Sequence, residues 1–299
     1  MLARLQRFIT FFLLALILVW LLFFWDGAPA VAVFGSIAIA LAYTAFLALE
    51  FLLASLVNKG DPSCRATLTQ WLAAWVGEAV TAPQVFCWRQ PFRANVLPDN
   101  VNQLAAVAGR RGVVLVHGFF CNRGFWTPWL RRLQQQGDAF IAVSLEPIFG
   151  SIDDYTGQIE AAVRKVAEVT GLPPLLVCHS MGGLAARSWL VRYKADARVH
   201  RVVTIGTPHH GTWLARFGRA ENARQMRLSS KWLARLEVEY LTSRRALFTC
   251  WYSNCDNIVF PALSATLPGA DNRLVSGAAH VHMAFLPQVI NGTLALLQD

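Results

Sequence analysis

The sequence has 299 residues, 55% hydrophobic and 15% charged, and its 27 Lys or Arg against 18 Asp or Glu leave a net charge of +9. That length holds one domain of ordinary α/β size plus an appendage, and the apolar share exceeds that of a typical soluble domain. A basic balance suits nucleic acid, an anionic membrane or simple solubility; no nucleic-acid motif is present, so no nucleic-acid partner is expected. The six cysteines, Cys64, Cys87, Cys121, Cys178, Cys250 and Cys255, form no CxxC pair and no His/Cys ligand spacing. That argues against zinc. They read as free buried thiols, although Cys250 and Cys255 are close enough in sequence to reach each other.

The apolar excess lies in the first 57 residues. Arg4 and Arg7 precede an uncharged run over 8–25, which as a helix covers roughly 27 Å, close to the hydrocarbon thickness of a bilayer. Asp26, Gly27 and Pro29 make a turn, and a second run over 30–57 is broken only by Glu50. Residues 31–49 suffice to span, which puts Glu50 near an interface or against the partner helix. Arg4 and Arg7 lie at one end and Lys59 and Arg65 at the other, and the loop between the two runs carries only Asp26. The positive-inside rule therefore predicts a transmembrane hairpin over 1–60 in a cell inner membrane, with both ends and the following domain cytoplasmic. Ala28-Pro29-Ala30 also fits a signal-peptidase site; if it were cut, the second run would still return the remainder to the cytosol.

Residues 61–112 form a joining region, opened by Asp61-Pro62-Ser63. Leu68, Trp71, Leu72, Trp75 and Val76 recur at helical spacing, so 66–80 is expected to be an amphipathic helix, lying on the membrane interface or packed on the next domain. Residues 85–92 read as an edge strand stopped by Pro91, and 94–111 as loop. From 113 onward apolar runs alternate with helical patterns. Strands are predicted at 113–116, 139–144, 174–178, 202–205, 248–253 and 273–275, and helices at 125–136, 154–169 and 181–193. Such alternation builds a parallel sheet with helices on both faces, whose ligands bind beyond the carboxyl ends of the strands. Phe119, Ser180 and Thr207 fall just past strand ends and are expected on one rim.

The stretch LLVCHSMGGLAAR, 175–187, runs from strand through a tight turn into helix. It lifts Ser180 to the end of the sheet beside the unpaired first N–H groups of the helix. A serine needs a base and an electropositive pocket to act as a nucleophile. The strand at 113–116 ends in His117-Gly118-Phe119-Phe120, an ending that places one oxyanion donor, the N–H of Phe119; the second donor is the N–H of Met181. A capping serine and a packed histidine fit the same residues.

Three segments, VVLVHGFF at 113–120, LLVCHSMGG at 175–183 and VVTIGTPHHGT at 202–212, resemble the α/β-hydrolase fold and, within it, the bacterial lipases and esterases. The resemblance departs at Cys178, where that family usually has glycine. It implies an α/β-hydrolase domain over 113–299, with a mostly parallel sheet, helices on both faces and a helical cap at about 213–247, preceded by the two transmembrane helices. It also implies a triad in the order Ser180, Asp256, His280. Asp256 follows the strand at 248–253, and His280 lies in the small-residue loop after 273–275. Asp271 and His282 are the rivals for acid and base; Asp153 and Asp154 precede the serine. His179, His209 and His210 are expected to pack near the site. The cap stands where similar lipases carry a lid. It holds eight Arg or Lys against three Glu, which suits either an anionic bilayer surface, at roughly 1 kcal/mol per cation, or a structural cap with a solvated basic face.

The resulting expectation is a membrane-anchored serine hydrolase acting on carboxylic esters of apolar acyl chains, with lipid and membrane as partners. It requires no metal or organic cofactor; some similar lipases bind a structural calcium, but no ligand set is evident here. Two alternatives stay open: an acyl thioesterase or amidase with the same triad, and a catalytically silent membrane-tethered binding module.

Overall fold

Two long apolar helices lead the chain, α1 (Leu2–Trp25) and α2 (Pro29–Asn58). Pro29 stands in the first turn of α2, where its fixed φ suits a helix start and its missing N–H costs nothing. The indole of Trp20 donates across the hairpin to the Val31 carbonyl at 3.1 Å. The computed structural model describes residues 1–60, 65–101, 109–239 and 242–298; the turn predicted at Asp61-Pro62-Ser63, Cys64 and Leu241 of the insertion lie outside them. At 1.5 Å per residue α2 is about 45 Å long, more than the hydrocarbon core needs. Its last three turns bury Leu47, Glu50, Phe51, Ala54 and Asn58, a stripe at helical spacing. Leu49, Leu52 and Leu56 on the other face stay exposed.

Helix α3 (Leu68–Pro83) starts from a capping box in which the Thr67 and Gln70 side chains each accept the other's backbone N–H. Chain continuation corrects the edge strand expected over 85–92: a π-helical turn, Gln84–Arg89, follows directly, and Gln90–Phe92 closes it. Pro83 lacks the N–H that would bond the Ala79 carbonyl four residues back. That carbonyl accepts instead from the Tyr43 hydroxyl of α2 at 2.7 Å. A short apolar run has no periodicity that separates strand from helix, and here the tertiary donor decides for helix.

Six strands make one sheet: β1 (Val113–Val116), β2 (Phe140–Val143), β3 (Leu175–His179), β4 (Arg201–Ile205), β5 (Phe248–Tyr252) and β6 (Asp271–Leu274). Their order is β2-β1-β3-β4-β5-β6, and every pairing is parallel. β1 and the first four residues of β3 are apolar because both faces of the sheet are covered. Val114, Val116, Leu176 and Cys178 point to one side, where α5 (Thr156–Thr170) and α6 (Met181–Tyr193) pack. Val113, Leu115, Leu175 and Val177 point to the other, towards α4 (Thr127–Gln136) and α7 (Pro287–Leu294). A third, smaller core joins Leu47 and Phe51 of α2 to Ala74 of α3 and to Cys255 and Ala279.

In the predicted cap, Trp232, Leu233 and Leu236 join the core on the α5 and α6 side. The Trp232 indole donates to Asp153 at 2.9 Å, and the fully buried Arg187 of α6 pairs with Glu237 at 2.6 Å.

Candidate active site

Ser180 stands alone between β3 and α6 with φ 53° and ψ −128°, a conformation that costs a non-glycine residue about 1–3 kcal/mol. Its surroundings over-determine it. The Ser180 N–H donates to the Ile205 carbonyl at 2.9 Å, and its own carbonyl accepts from the Gly183 N–H at 3.0 Å and the Thr207 hydroxyl at 2.8 Å. A Cβ on Gly182 would come within 2.6 Å of the Val116 carbonyl oxygen, so α6 reaches the end of β1 only with glycine there. Cys178 is fully buried beside Val116 and Thr204 of the neighbouring strands, and burial pushes its thiol pKa up. Its side chain fills the core, and the turn keeps its shape without the usual glycine.

At the end of β1, His117 Nε2 accepts the Leu145 N–H at 3.0 Å, which leaves the ring proton on Nδ1 to donate to the Gly118 carbonyl at 2.9 Å. Burial pushes this ring down to about 4, so it is neutral at ordinary pH. The bond fixes the rotation of the Gly118–Phe119 peptide. Met181 is the first residue of α6, and its N–H has no acceptor within the helix.

Asp256 follows β5. Its Oδ1 accepts the N–H groups of Ile258 and Val259 at 2.8 and 2.7 Å, and its Oδ2 lies 2.9 Å from His280 Nδ1. Burial of the imidazole would lower its pKa, but the charge and hydrogen bond of Asp256, with Glu78 and Glu50 farther away, outweigh burial and raise it above 6.5. Ser180 and His280 line one cavity of about 300 Å³, walled mostly by apolar side chains, among them Phe46, Leu47, Phe86, Phe119, Ile258 and Val281, with Glu50, Glu78 and Asn257 in the same lining. Among the described residues, none of 213–247 lines it.

The rivals lie elsewhere. Asp271 pairs with Arg273 on β6, and the His282 ring packs on Gly77. Asp153 serves Ser188, Trp232 and Arg235, and Asp154 accepts the Ser151 N–H. His179 stacks on Phe125 and bonds the His280 carbonyl at 3.2 Å, and His209 bonds Thr204 at 3.1 Å. Two residues went unnoticed in the sequence. Asn257 accepts the His280 N–H at 3.1 Å, and the buried Glu78 of α3 accepts the N–H groups of Val281 and His282. Glu78 carried a signal, being the one acid in the apolar pattern of 66–80.

The family model described as "Alpha/beta hydrolase family" matches residues 113–289. Triacylglycerol lipases of Pseudarthrobacter phenanthrenivorans and Burkholderia plantarii are each 37% identical over 120 residues, covering 37% of this chain and 37% and 33% of theirs; the match spans about a third of those relatives. Among solved structures, the mature form of a Bacillus licheniformis lipase is similar at TM-score 0.54 and 18% identity, over 63% of this chain and 92% of that one. Aspergillus fumigatus lipase B is similar at 0.55 and 17%, over 66% and 55%. With the sheet order, the strained serine turn and the family match over more than half its length, this chain belongs to the alpha/beta hydrolase family.

Proposed function

We propose that the protein is a membrane-anchored serine hydrolase that cleaves carboxylic esters of apolar acyl chains. The observation that carries this reading is the shared cavity, with a strained serine and an Asp-bonded imidazole among apolar walls. Ser180 Oγ attacks the ester carbonyl, and His280 Nε2 takes its proton. Asp256 holds the Nδ1–H tautomer and stabilises the imidazolium. The N–H groups of Phe119 and Met181 stabilise the oxyanion, the first of them turned by the His117 bond to the same peptide. His280 then protonates the departing alcohol, and water releases the acid by the reverse sequence. The apolar walls and the similarity to triacylglycerol lipases support an acyl ester substrate.

The test is hydrolysis of p-nitrophenyl esters of increasing chain length, beside acyl-CoA, by the detergent-purified full chain. Turnover of the esters is expected in the wild type and loss of it in Ser180→Ala with unchanged thermal unfolding. Equal turnover by Ser180→Ala, or none by the wild type, contradicts the reading.

A further inference from the structure

We infer that α2 is a working part of the active site, with Glu50 a positioning residue that acts on His280 through Asn257. The inference rests on the proposed function and goes beyond it, because it turns a membrane anchor into part of the catalytic apparatus.

Glu50 is only 7% exposed in an otherwise uncharged helix. Burying a carboxyl group costs several kcal/mol unless it is hydrogen-bonded, and anchoring alone needs no such group. Its Oε2 accepts from Asn257 Nδ2 at 2.8 Å, across 207 residues of sequence. Asn257 is itself buried, and its Oδ1 accepts the His280 N–H at 3.1 Å. The carboxylate therefore determines which way the amide faces. It takes the NH₂ group, which leaves the carbonyl oxygen for the histidine. The His280 carbonyl is held by His179, so the backbone that carries the imidazole is fixed on both sides. Phe46 and Leu47, one turn before Glu50, line the cavity itself. Leu47 and Phe51 share a core with Cys255 and Ala279, the residues that precede Asp256 and His280. Without the Glu50 acceptor the amide is free to rotate and the imidazole loses its fixed position in the cavity that Ser180 lines. A small misplacement of a catalytic group costs on the order of 10²-fold in rate.

The test uses the full-length protein in detergent and a short-chain soluble p-nitrophenyl ester, so that delivery from a membrane plays no part. Glu50→Leu and Asn257→Ala are each expected to lower kcat about 10- to 100-fold with KM changed less than about twofold. Glu50→Gln, which keeps an acceptor oxygen, should hold kcat within about threefold of wild type. The double variant Glu50→Leu with Asn257→Ala should be no worse than the more damaged single variant. Should Glu50→Leu fail to fold, Asn257→Asp carries the test: it removes the donor without changing size and should lower kcat. Adding Glu50→Gln to it should restore activity by returning a donor to the pair. Wild-type kcat in Glu50→Leu, additive losses in the double variant, or no recovery in the exchanged pair overturns the inference. Absence of hydrolysis by the wild type instead overturns the proposed function.

Discussion

The imidazole of His280 faces Asp256, Glu78 and Glu50, and its pKa is raised above 6.5 despite its burial. A general base must be neutral, so kcat/KM should rise with pH along an acid limb centred above 6.5. Asp256→Asn removes the largest raising influence and releases the tautomer. Its limb should move to lower pH and kcat should fall about 10⁴-fold; a pH–rate profile of both proteins checks this. Glu78 gives a stability effect of the opposite kind to a salt-bridged acid. Burial raises it from 4.5 to about 7, so between these values the folded chain binds more protons than the unfolded one. Stability from this group is full below pH 4.5 and falls as pH rises to 7, by about 3 kcal/mol. Thermal unfolding in detergent should therefore show the wild type losing ground to Glu78→Gln across pH 4.5–7; parallel curves would contradict the assignment. Ser180 was legible because its neighbours Met181, Gly182 and Gly183 are local in sequence. Asn257 was not, because its partners Glu50 and His280 lie 207 and 23 residues away and no periodicity announces such pairs; Glu78 stands out as the one acid of its helical pattern, but nothing local names its partners.

At the scale of elements, strands and helices from 113 onward follow their periodicity, since a sheet covered on both faces demands continuous apolar runs such as Val113–Val116. The region before it was read less well. The apolar run at 85–92 reads as an edge strand, yet α3 propagates through Pro83 because Tyr43 of α2 satisfies the carbonyl that proline orphans. Removing that hydroxyl by Tyr43→Phe should cost about 1 kcal/mol, read as a lower unfolding temperature in detergent. The second apolar run needs only 31–49 to span, which puts Glu50 near an interface or against the partner helix. The helix runs on to Asn58, and its last three turns are committed to the rest of the protein. Hydropathy reports the composition of such a helix and not which of its faces packs on the rest of the protein.

At the scale of the molecule, both open ends of the hairpin meet the rest of the chain, one at the joining region and the other at the hydrolase part. Arg7 donates to the Pro91 carbonyl at 2.6 Å near the start of α1, and Asn58 accepts the Ala262 N–H at 3.0 Å at the end of α2. We propose that the hairpin spans a bilayer with both ends on one side, the cytoplasmic one that the Arg4, Arg7, Lys59 and Arg65 charges favour. Protease added to intact spheroplasts should leave the hydrolase part whole; its digestion from outside would reverse this topology. The central claim is that side chains far apart in sequence converge on one hydroxyl. Peptide mapping of the full-length protein after treatment with a fluorophosphonate tests this most directly. A single adduct on Ser180, lost in His280→Ala and kept in His282→Ala, is the expected result; no adduct, or an adduct on another serine, contradicts it.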